Sequence, residues 1–348
     1  MRPQIFQTSI TELLGIRHPL LCGGLGPGVS DGRYVAAAVN AGGMGFIVAT
    51  GHDDPAQFEE ELKICRDLTG GKPFGVNLYI SRFAGGADRV SKQLPLLEKY
   101  GVTCVETAGA SPEPIIPMLK DMNIKVLHKV PAVRYVQTAV RAGADAVIIV
   151  GSECGGHPGI YQIGSIVQAT RAAEIAGIPV IAAGGFGTGR QLVAALSMGC
   201  DAILMGSRMM VSSDLWVHDD YKRRVVAGDG TESKIVKQLL GDHHRVLDND
   251  SAKAVLALED AKVTDFEQYR PHVSGSLTRE AYHTGDFSKG MLDYGPAVVF
   301  ADEIKSTEAI FDEILDDAVT ALDRVNTLRL PAANAATAAE RHAWRLRN

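Results

Sequence analysis

The chain contains 348 residues, of which 46% are hydrophobic and 22% charged, and its formal net charge is −6. These fractions are those of an ordinary globular protein that is long enough to bury a large core. The negative charge provides no basic surface for a nucleic-acid backbone, so we expect no DNA or RNA partner. No apolar run approaches the roughly 18 residues of a membrane span, and the N-terminus lacks the apolar stretch of a signal peptide. We therefore expect a cytoplasmic protein with a small-molecule substrate and no membrane partner, and homo-oligomer formation stays open.

Short apolar runs recur along the first 210 residues, and segments of helical periodicity lie between them. The eight runs are 18–24, 44–50, 73–80, 103–109, 125–130, 146–152, 179–185 and 202–208. Continuous rather than alternating hydrophobicity indicates strands that are buried on both faces, as in a parallel sheet. Eight such β/α units predict a (β/α)8 TIM barrel over residues 1–210, with an open doubly wound sheet as the alternative.

The regular alternation fades after residue 210. Residues 211–302 are irregular and rich in His and Asp, and we interpret them as a lid lobe that contacts the substrate. Residues 303–330 have the periodicity of an amphipathic helix that closes back onto the barrel. The Ala-rich residues 331–348 are expected to form a peripheral tail.

Polar and glycine residues follow most of the predicted strands at their carboxyl ends. They are Cys22-Gly23-Gly24, Asn77, Glu106, His128-Lys129, the loop 151–159, Gly184-Gly185 and Gly206-Ser207-Arg208. Because these ends meet on one face of a barrel, where active sites are built, we expect the site there.

The two strongest motifs, AAGGFGTGRQ and LMGSR, follow the seventh and eighth strands. Barrels bind phosphate at this position through backbone N–H groups and a helix N-terminus. The first motif could instead be a tight turn that needs positive φ. A Rossmann fingerprint fits less well, since it belongs in the first β/α unit with an acidic residue about 20 positions later. Two adjacent glycine turns favour one phosphate, as in FMN.

Taken together, several motifs resemble the nitronate monooxygenase family, formerly called 2-nitropropane dioxygenases. The motifs are KPFGVNL, VETAG, KVLHKV, DAVIIVGSECGGHPG, PVIAAGGFGTGRQLVAALSMGCDAILMGSR and GDFSKGMLDYG. The resemblance covers about residues 8–325 and implies an FMN-dependent TIM barrel. The E-C-x-G-H-P-G form also resembles a subgroup that acts as NADH:quinone reductase, which would use NAD(P)H as a co-substrate.

The resemblance implies flavin contacts at several positions. The ring would be contacted by Gly23, Gly24, Asn77, Lys129 and Gly156, and the phosphate by Gly184, Gly185, Met205, Gly206 and Ser207. A lysine near the ring would stabilise the anionic reduced flavin. Lys129 could instead form a surface salt bridge, and Asn77 could simply cap its strand. Many family members begin this site with Gln-Gly-Gly-Met, whereas this chain has Cys22-Gly23-Gly24-Leu25, so contacts here would come from the backbone.

His157 stands in the loop GSECGGHPG at residues 151–159. The Gly155-Gly156 pair would bring the main chain close to the flavin, and Pro158 would direct His157 over the substrate. In the family this histidine is the candidate general base, which removes the proton α to a nitro group or orients the nitronate. The alternative is a structural hydrogen bond. We expect Glu153 to accept bonds from backbone donors and Cys154 to fill a small apolar space.

No metal site and no disulfide framework is predicted. The cysteines stand singly, at Cys22, Cys65, Cys104, Cys154 and Cys200, as reduced thiols do. The late histidines lack both H-x-x-x-H spacing and an evident carboxylate partner; they are His243, His244, His272 and His283.

Three functions stay open at this stage. The first is oxidation of alkyl nitronates by FMN and O₂ to a carbonyl compound and nitrite. The alternative is NAD(P)H-driven reduction of a quinone or an enoyl thioester on the same barrel. A flavin carrier without enzymatic activity is the third, although an open polar face with His157 would be superfluous for storage.

Overall fold

The computed structural model describes residues 2–52, 54–81 and 86–328. Its eight parallel strands pair in sequence order, and the eighth pairs with the first to close a barrel. They are β1 (Leu20–Cys22), β2 (Met44–Val48), β3 (Gly75–Ile80), β4 (Cys104–Gly109), β5 (Lys125–Val130), β6 (Ala146–Val150), β7 (Val180–Ala183) and β8 (Ala202–Met205). The predicted TIM barrel is confirmed, and the alternative of an open sheet is wrong.

The helices of the described residues surround this barrel and build the lobe that follows it. They are α1 (Ser9–Leu14), α2 (Gly32–Asn40), α3 (Pro55–Thr69), α4 (Gly86–Ser91), α5 (Leu94–Lys99), α6 (Ile116–Asp121), α7 (Val136–Ala142), α8 (Ser165–Ile175), α9 (Gly189–Ser197), α10 (Asp219–Val226), α11 (Asp250–Asp260), α12 (Phe266–Val273), α13 (Gly275–Thr284) and α14 (Thr307–Leu328). Within those residues, no helix has the length and apolar composition needed to cross a membrane.

Side chains of alternate strand residues fill the barrel interior. Leu21, Phe46, Leu127 and Ile181 belong to this cluster and are fully buried, together with Ile10 of α1. Helix α1 therefore contributes to the packing of the barrel interior.

The lobe after the barrel begins with the 3₁₀ helix Ser207–Val211 and contains an antiparallel hairpin, β9 (Ser233–Val236) and β10 (His244–Leu247). Its hydrophobic cluster is separate from the barrel core and is formed by residues such as Val236, Val246, Val255 and Tyr269. Two isolated bridges attach the hairpin to its surroundings, Gly156 with Arg245 and Val246 with Asp293. The lobe therefore reaches the loop that follows β6.

Helix α14 returns to the barrel and packs against α9 and α2. The contact is close at Gly189, where an added β-carbon would overlap the backbone of Ile314 and Ala318. Glycine at the start of α9 is thus required by the packing of the two helices. The tail predicted at 331–348 lies outside the described residues.

Candidate active site

A cavity opens at the carboxyl ends of the barrel strands. Together with the open solvent at its mouth, it contains about 660 Å³ not filled by protein atoms. Seven of the predicted site residues line it, namely Gly23, Gly24, Lys129, Gly184, Gly185, Gly206 and Ser207. Four do not, namely Asn77, Gly156, His157 and Met205. The Met205 side chain is fully buried, and its carbonyl oxygen accepts the N–H of Gly23, a residue of the cavity wall, at 3.0 Å.

The glycine turn after β7 presents its N–H groups rather than its carbonyl groups. Gly184 and Gly185 have φ of +91° and +83°, which disfavour any side chain. The Gly184 oxygen accepts from Ser165 Oγ at 2.6 Å, and the Gly185 oxygen accepts from Gln191 Nε2 at 2.8 Å. Within the described chain, neither glycine N–H donates to a protein acceptor. Two backbone donors are therefore left for a ligand.

The turn after β8 lies beside it, because β7 and β8 pair through Ala183 and Leu204. Among the described hydrogen bonds, the N–H groups of Gly206 and Ser207 also have no protein acceptor. The Ser207 hydroxyl oxygen accepts the Gly295 N–H at 2.9 Å, so the lid lobe holds this turn in place. The two turns together form one group of donors suited to a single phosphate.

Glu106 connects the predicted ring contacts and was not singled out as a site residue from the sequence. Its Oε2 accepts from Asn77 Nδ2 at 2.6 Å and from the Gly24 N–H at 3.0 Å. Its Oε1 lies 2.6 Å from Lys129 Nζ, and the Glu106 side chain is fully buried. The pair is therefore not the surface salt bridge considered as an alternative for Lys129. A charged residue inside the buried run TCVETAG was the signal that could have identified it.

Strand register explains why these side chains meet. Asn77 of β3 is the direct partner of Glu106 of β4, and Glu106 is paired with Leu127 of β5. Since strand side chains alternate, Lys129 points to the same side as Leu127. The three polar groups therefore face the barrel interior at its carboxyl end.

Glu153 and Cys154 lie near the start of the loop after β6, and both were expected to have structural roles. The Glu153 carboxylate accepts from the backbone N–H of Ser165 at 2.9 Å and from its hydroxyl at 2.9 Å, so its predicted structural role is confirmed. Cys154 lies in the cavity wall. Burial raises the pKa of its thiol to about 12, so the thiol stays protonated at neutral pH and is no nucleophile.

The same loop turns away from the cavity at Gly156. Gly156, with φ of +92°, donates its N–H to the Arg245 oxygen at 2.9 Å and accepts the Arg245 N–H at 2.6 Å. The next side chain, His157, stacks on His244 with ring centroids 4.2 Å apart. Its Nε2 lies 3.7 Å from Asp242 Oδ1, and 55% of its side chain is exposed.

The protonation of His157 follows from these neighbours. Surrounding protein atoms, the His244 ring and the Lys237 ammonium lower the pKa of His157 below its ordinary value, although the ring is partly exposed. A histidine with a lowered pKa is neutral at pH 7 and able to accept a proton, but it is a weaker base than a free imidazole. Its predicted catalytic role stays a prediction.

His244 has a carboxylate partner, so the expectation that the late histidines lack one is wrong for this residue. His244 Nε2 lies 2.6 Å from Asp293 Oδ1, and Asp293 lines the cavity. The two residues stand 49 positions apart in the chain, so sequence inspection could not reveal the pair. Among the described residues, no three or more His, Cys, Asp or Glu side chains are grouped to hold a metal ion.

Residues 7–317 match the family model described as nitronate monooxygenase. The chain belongs to the nitronate monooxygenase family. It is a flavin-dependent oxidoreductase, as enzymes of this family are. The resemblance identified from the sequence motifs is confirmed.

Relatives within and around the nitronate monooxygenase family carry different names. The "(3aS,4S,5R,7aS)-5-hydroxy-7a-methyl-1-oxo-octahydro-1H-indene-4-carboxyl-CoA dehydrogenase" of Rhodococcus jostii (strain RHA1) is 27% identical, over 93% of this chain and 99% of that protein. A "Probable nitronate monooxygenase" of Staphylococcus aureus (strain MSSA476) is 25% identical, over 80% and 88%. The structure of FabK from Thermotoga maritima superposes with a TM-score of 0.84 at 29% identity, over 93% of this chain and 100% of that one.

The cavity fits the flavin that the nitronate monooxygenase family implies. Its wall combines the free N–H donors after β7 and β8 with the Lys129 ammonium, and both features suit an anionic cofactor. At Gly206 the nearest atom to an added β-carbon is Leu25 Cδ2 at 3.6 Å, so the approach to the backbone is open. Gly155 rather than Gly156 lies in the wall.

Proposed function

We propose that this protein is an FMN-dependent enzyme that oxidises alkyl nitronates with O₂ to a carbonyl compound and nitrite. The observation that carries the proposal is the composition of one cavity wall. The glycine turns after β7 and β8 and Lys129 lie on it together with Asp293, the partner of His244. The cavity thus joins a place for an anionic cofactor to groups that can handle a proton.

The chain's own residues would divide the work as follows. The backbone N–H groups of Gly184, Gly185, Gly206 and Ser207 would hold the phosphate. Lys129, oriented by Glu106, would place a positive charge beside the ring and favour an anionic nitronate in the cavity. When bound, the flavin supplies the two-electron acceptor that passes electrons to O₂. Protons exchanged with the substrate would be carried by Asp293, His244 and His157.

A second candidate is oxidation or reduction of an acyl thioester with a nicotinamide co-substrate. It is favoured by the Rhodococcus relative, whose name is that of a carboxyl-CoA dehydrogenase and which covers 93% of this chain. Both reactions would use the same flavin cavity and differ in what reduces the flavin.

Anaerobic mixing distinguishes the two candidates. We expect the propane-2-nitronate anion to bleach the yellow absorbance of the purified holoenzyme within its turnover time, and NADH or NADPH to bleach it far more slowly. Readmission of O₂ should restore the colour and release nitrite. Fast bleaching by NADH or by a saturated acyl-CoA, with none by the nitronate, would overturn the proposal in favour of the second candidate.

We further predict that the released cofactor is FMN rather than FAD. The two turns form one group of donors, which is enough for a single phosphate. Mass spectrometry of the heat-released flavin should give the mass of FMN, with authentic FMN and FAD run beside it as references. A mass of FAD would contradict the assignment.

A further inference from the structure

Asp293 is one of two charged residues in the cavity wall within the described chain, and Lys129 is the other. It belongs to the lid lobe, whereas Lys129 belongs to the barrel. About a third of the Asp293 side chain, 33%, is exposed. The lobe therefore contributes a carboxylate that a substrate in the cavity can reach.

The backbone of Asp293 is held from both sides. Its N–H donates to the hydroxyl oxygen of Tyr282 at 3.1 Å, and its carbonyl oxygen accepts from the Tyr221 hydroxyl at 3.4 Å. Both tyrosines are buried and pack edge to face with ring centroids 5.1 Å apart. These contacts fix the backbone from which the carboxylate projects, and a catalytic group requires such a defined position.

The two carboxylate oxygens have different environments. Oδ1 is bonded to His244 Nε2 at 2.6 Å. Within the described residues Oδ2 has no hydrogen-bond partner, and an added β-carbon at Gly156 would lie 3.3 Å from it. Glycine at position 156 therefore leaves space beside Oδ2, and Asp293 itself lines the cavity.

His244 is arranged to hold the carboxylate in place through a hydrogen bond. Its ring is buried, and in the described chain its Nδ1 has no hydrogen-bond partner. A doubly protonated ring would bury an N–H without an acceptor, which is costly. The tautomer with its hydrogen on Nε2 avoids this cost and donates to Asp293 Oδ1.

We propose that Asp293 is a catalytic residue whose Oδ2 accepts the proton from the α carbon of a neutral nitroalkane, and that His244 is its positioning residue. The inference rests on the proposed function only in the choice of the carbon acid, which is the nitroalkane whose conjugate base is the nitronate oxidised there. His157 lies one ring further from the cavity, stacked on His244. It would pass the proton to solvent rather than take it from carbon.

The step balances without any oxidant. The substrate C–H bond breaks and an O–H bond forms at Asp293 Oδ2. The electron pair of the C–H bond becomes the C=N bond of the nitronate, and a pair from N=O moves onto oxygen. The negative charge thus passes from the carboxylate to the nitronate, on the same wall as Lys129.

The test is exchange of the α hydrogens of nitroethane with D₂O, followed by proton NMR with the anaerobic holoenzyme and corrected for the rate without enzyme. Because no O₂ is present to reoxidise the flavin, each flavin oxidises at most one molecule of nitronate, and the exchange signal is not lost to turnover. We expect Asp293→Asn to lower the exchange rate by about 10²- to 10⁴-fold, the usual contribution of a general base. Oxidation of pre-formed ethyl nitronate should fall far less, with flavin content unchanged.

Asp248→Asn is the matched control, since it removes a carboxylate of similar exposure from the same lobe, 3.7 Å from Lys234. It should exchange at the wild-type rate. Wild-type-like exchange by Asp293→Asn, or no exchange by the wild type, would overturn the assignment. A collapse in His157→Asn alone would transfer the role to His157. If exchange depends on Asp293 but no nitronate is oxidised, the proposed function fails while this assignment stands.

The positioning role of His244 has its own test. Glutamine can offer an amide N–H near the position of Nε2, whereas alanine cannot. We expect His244→Ala to lower exchange by about tenfold or more, the value of a hydrogen bond to a charged group, and His244→Gln to recover most of it. The pH profile should move in the alanine variant. Equal losses in both, with unchanged pH profiles, would mean a merely structural role.

Discussion

The Gly185→Val variant is expected to lose its flavin while its barrel stays folded. Gly185 has φ of +83°, where a β-branched residue is strained by about 1–2 kcal/mol. Its β-carbon would lie 2.8 Å from Glu153 Cβ, so the turn has to move. The N–H donors after β7 would then leave their positions. Losing one hydrogen bond to a charged phosphate, worth about 1.5–3 kcal/mol, lowers affinity about tenfold or more.

The ratio of flavin to protein after desalting measures this effect, and circular dichroism checks the fold. Gly177→Val is the control, because Gly177 stands before the amino end of β7 with φ of +67° and no heavy atom within 4 Å of an added β-carbon. It shares the backbone strain without the collision, so it should retain flavin. Stoichiometric flavin in Gly185→Val would show that the phosphate lies elsewhere.

Replacing Glu106 with glutamine is expected to destabilise the protein and disturb the ring side of the cavity. The carboxylate accepts from Asn77 and Gly24 and pairs with Lys129. A glutamine side chain brings its own N–H₂ group, which has to face one of these donors. Removing one partner of a buried ion pair costs about 3–5 kcal/mol. Because 24% of Lys129 is exposed, we expect less here, about 1–3 kcal/mol.

Urea unfolding of the flavin-free protein would measure this loss apart from cofactor binding. A double-mutant cycle with Lys129→Met isolates the pair. We expect the double variant to be more stable than the sum of the single losses predicts, with a coupling of about 0.5–3 kcal/mol. Additive losses would mean that Glu106 acts only through Asn77 and Gly24.

Much of the architecture could be predicted from local patterns. Runs such as AVIIV are apolar at every position because strands of a parallel barrel are covered on both sides, and this burial is visible without any partner strand. The turn at Gly184 and Gly185 was predicted for the same kind of reason. Its positive φ angles are a requirement of the local backbone, which glycine satisfies by itself.

The ring side of the cavity required strand register as well. Asn77, Glu106 and Lys129 were each visible as polar residues at strand ends, but the sequence alone does not say which neighbours align. The pairing of Asn77 with Glu106 is decided by barrel closure. For this reason Glu106 could be noted from the sequence but not recognised as the residue that holds the others.

The arrangement of His157, His244 and Asp293 on the lid-lobe side of the cavity was decided by tertiary structure alone. His157 was expected over the substrate, and the stretch around it was correctly predicted as an irregular loop. The bridge between Gly156 and Arg245 then directs His157 onto His244, while Asp293 occupies the cavity wall. These segments lie up to about 140 positions apart and have no periodic pattern. Burial and backbone preference act within a few residues and can be predicted from sequence, whereas the docking of irregular segments depends on contacts that form only when the lobe packs on the barrel.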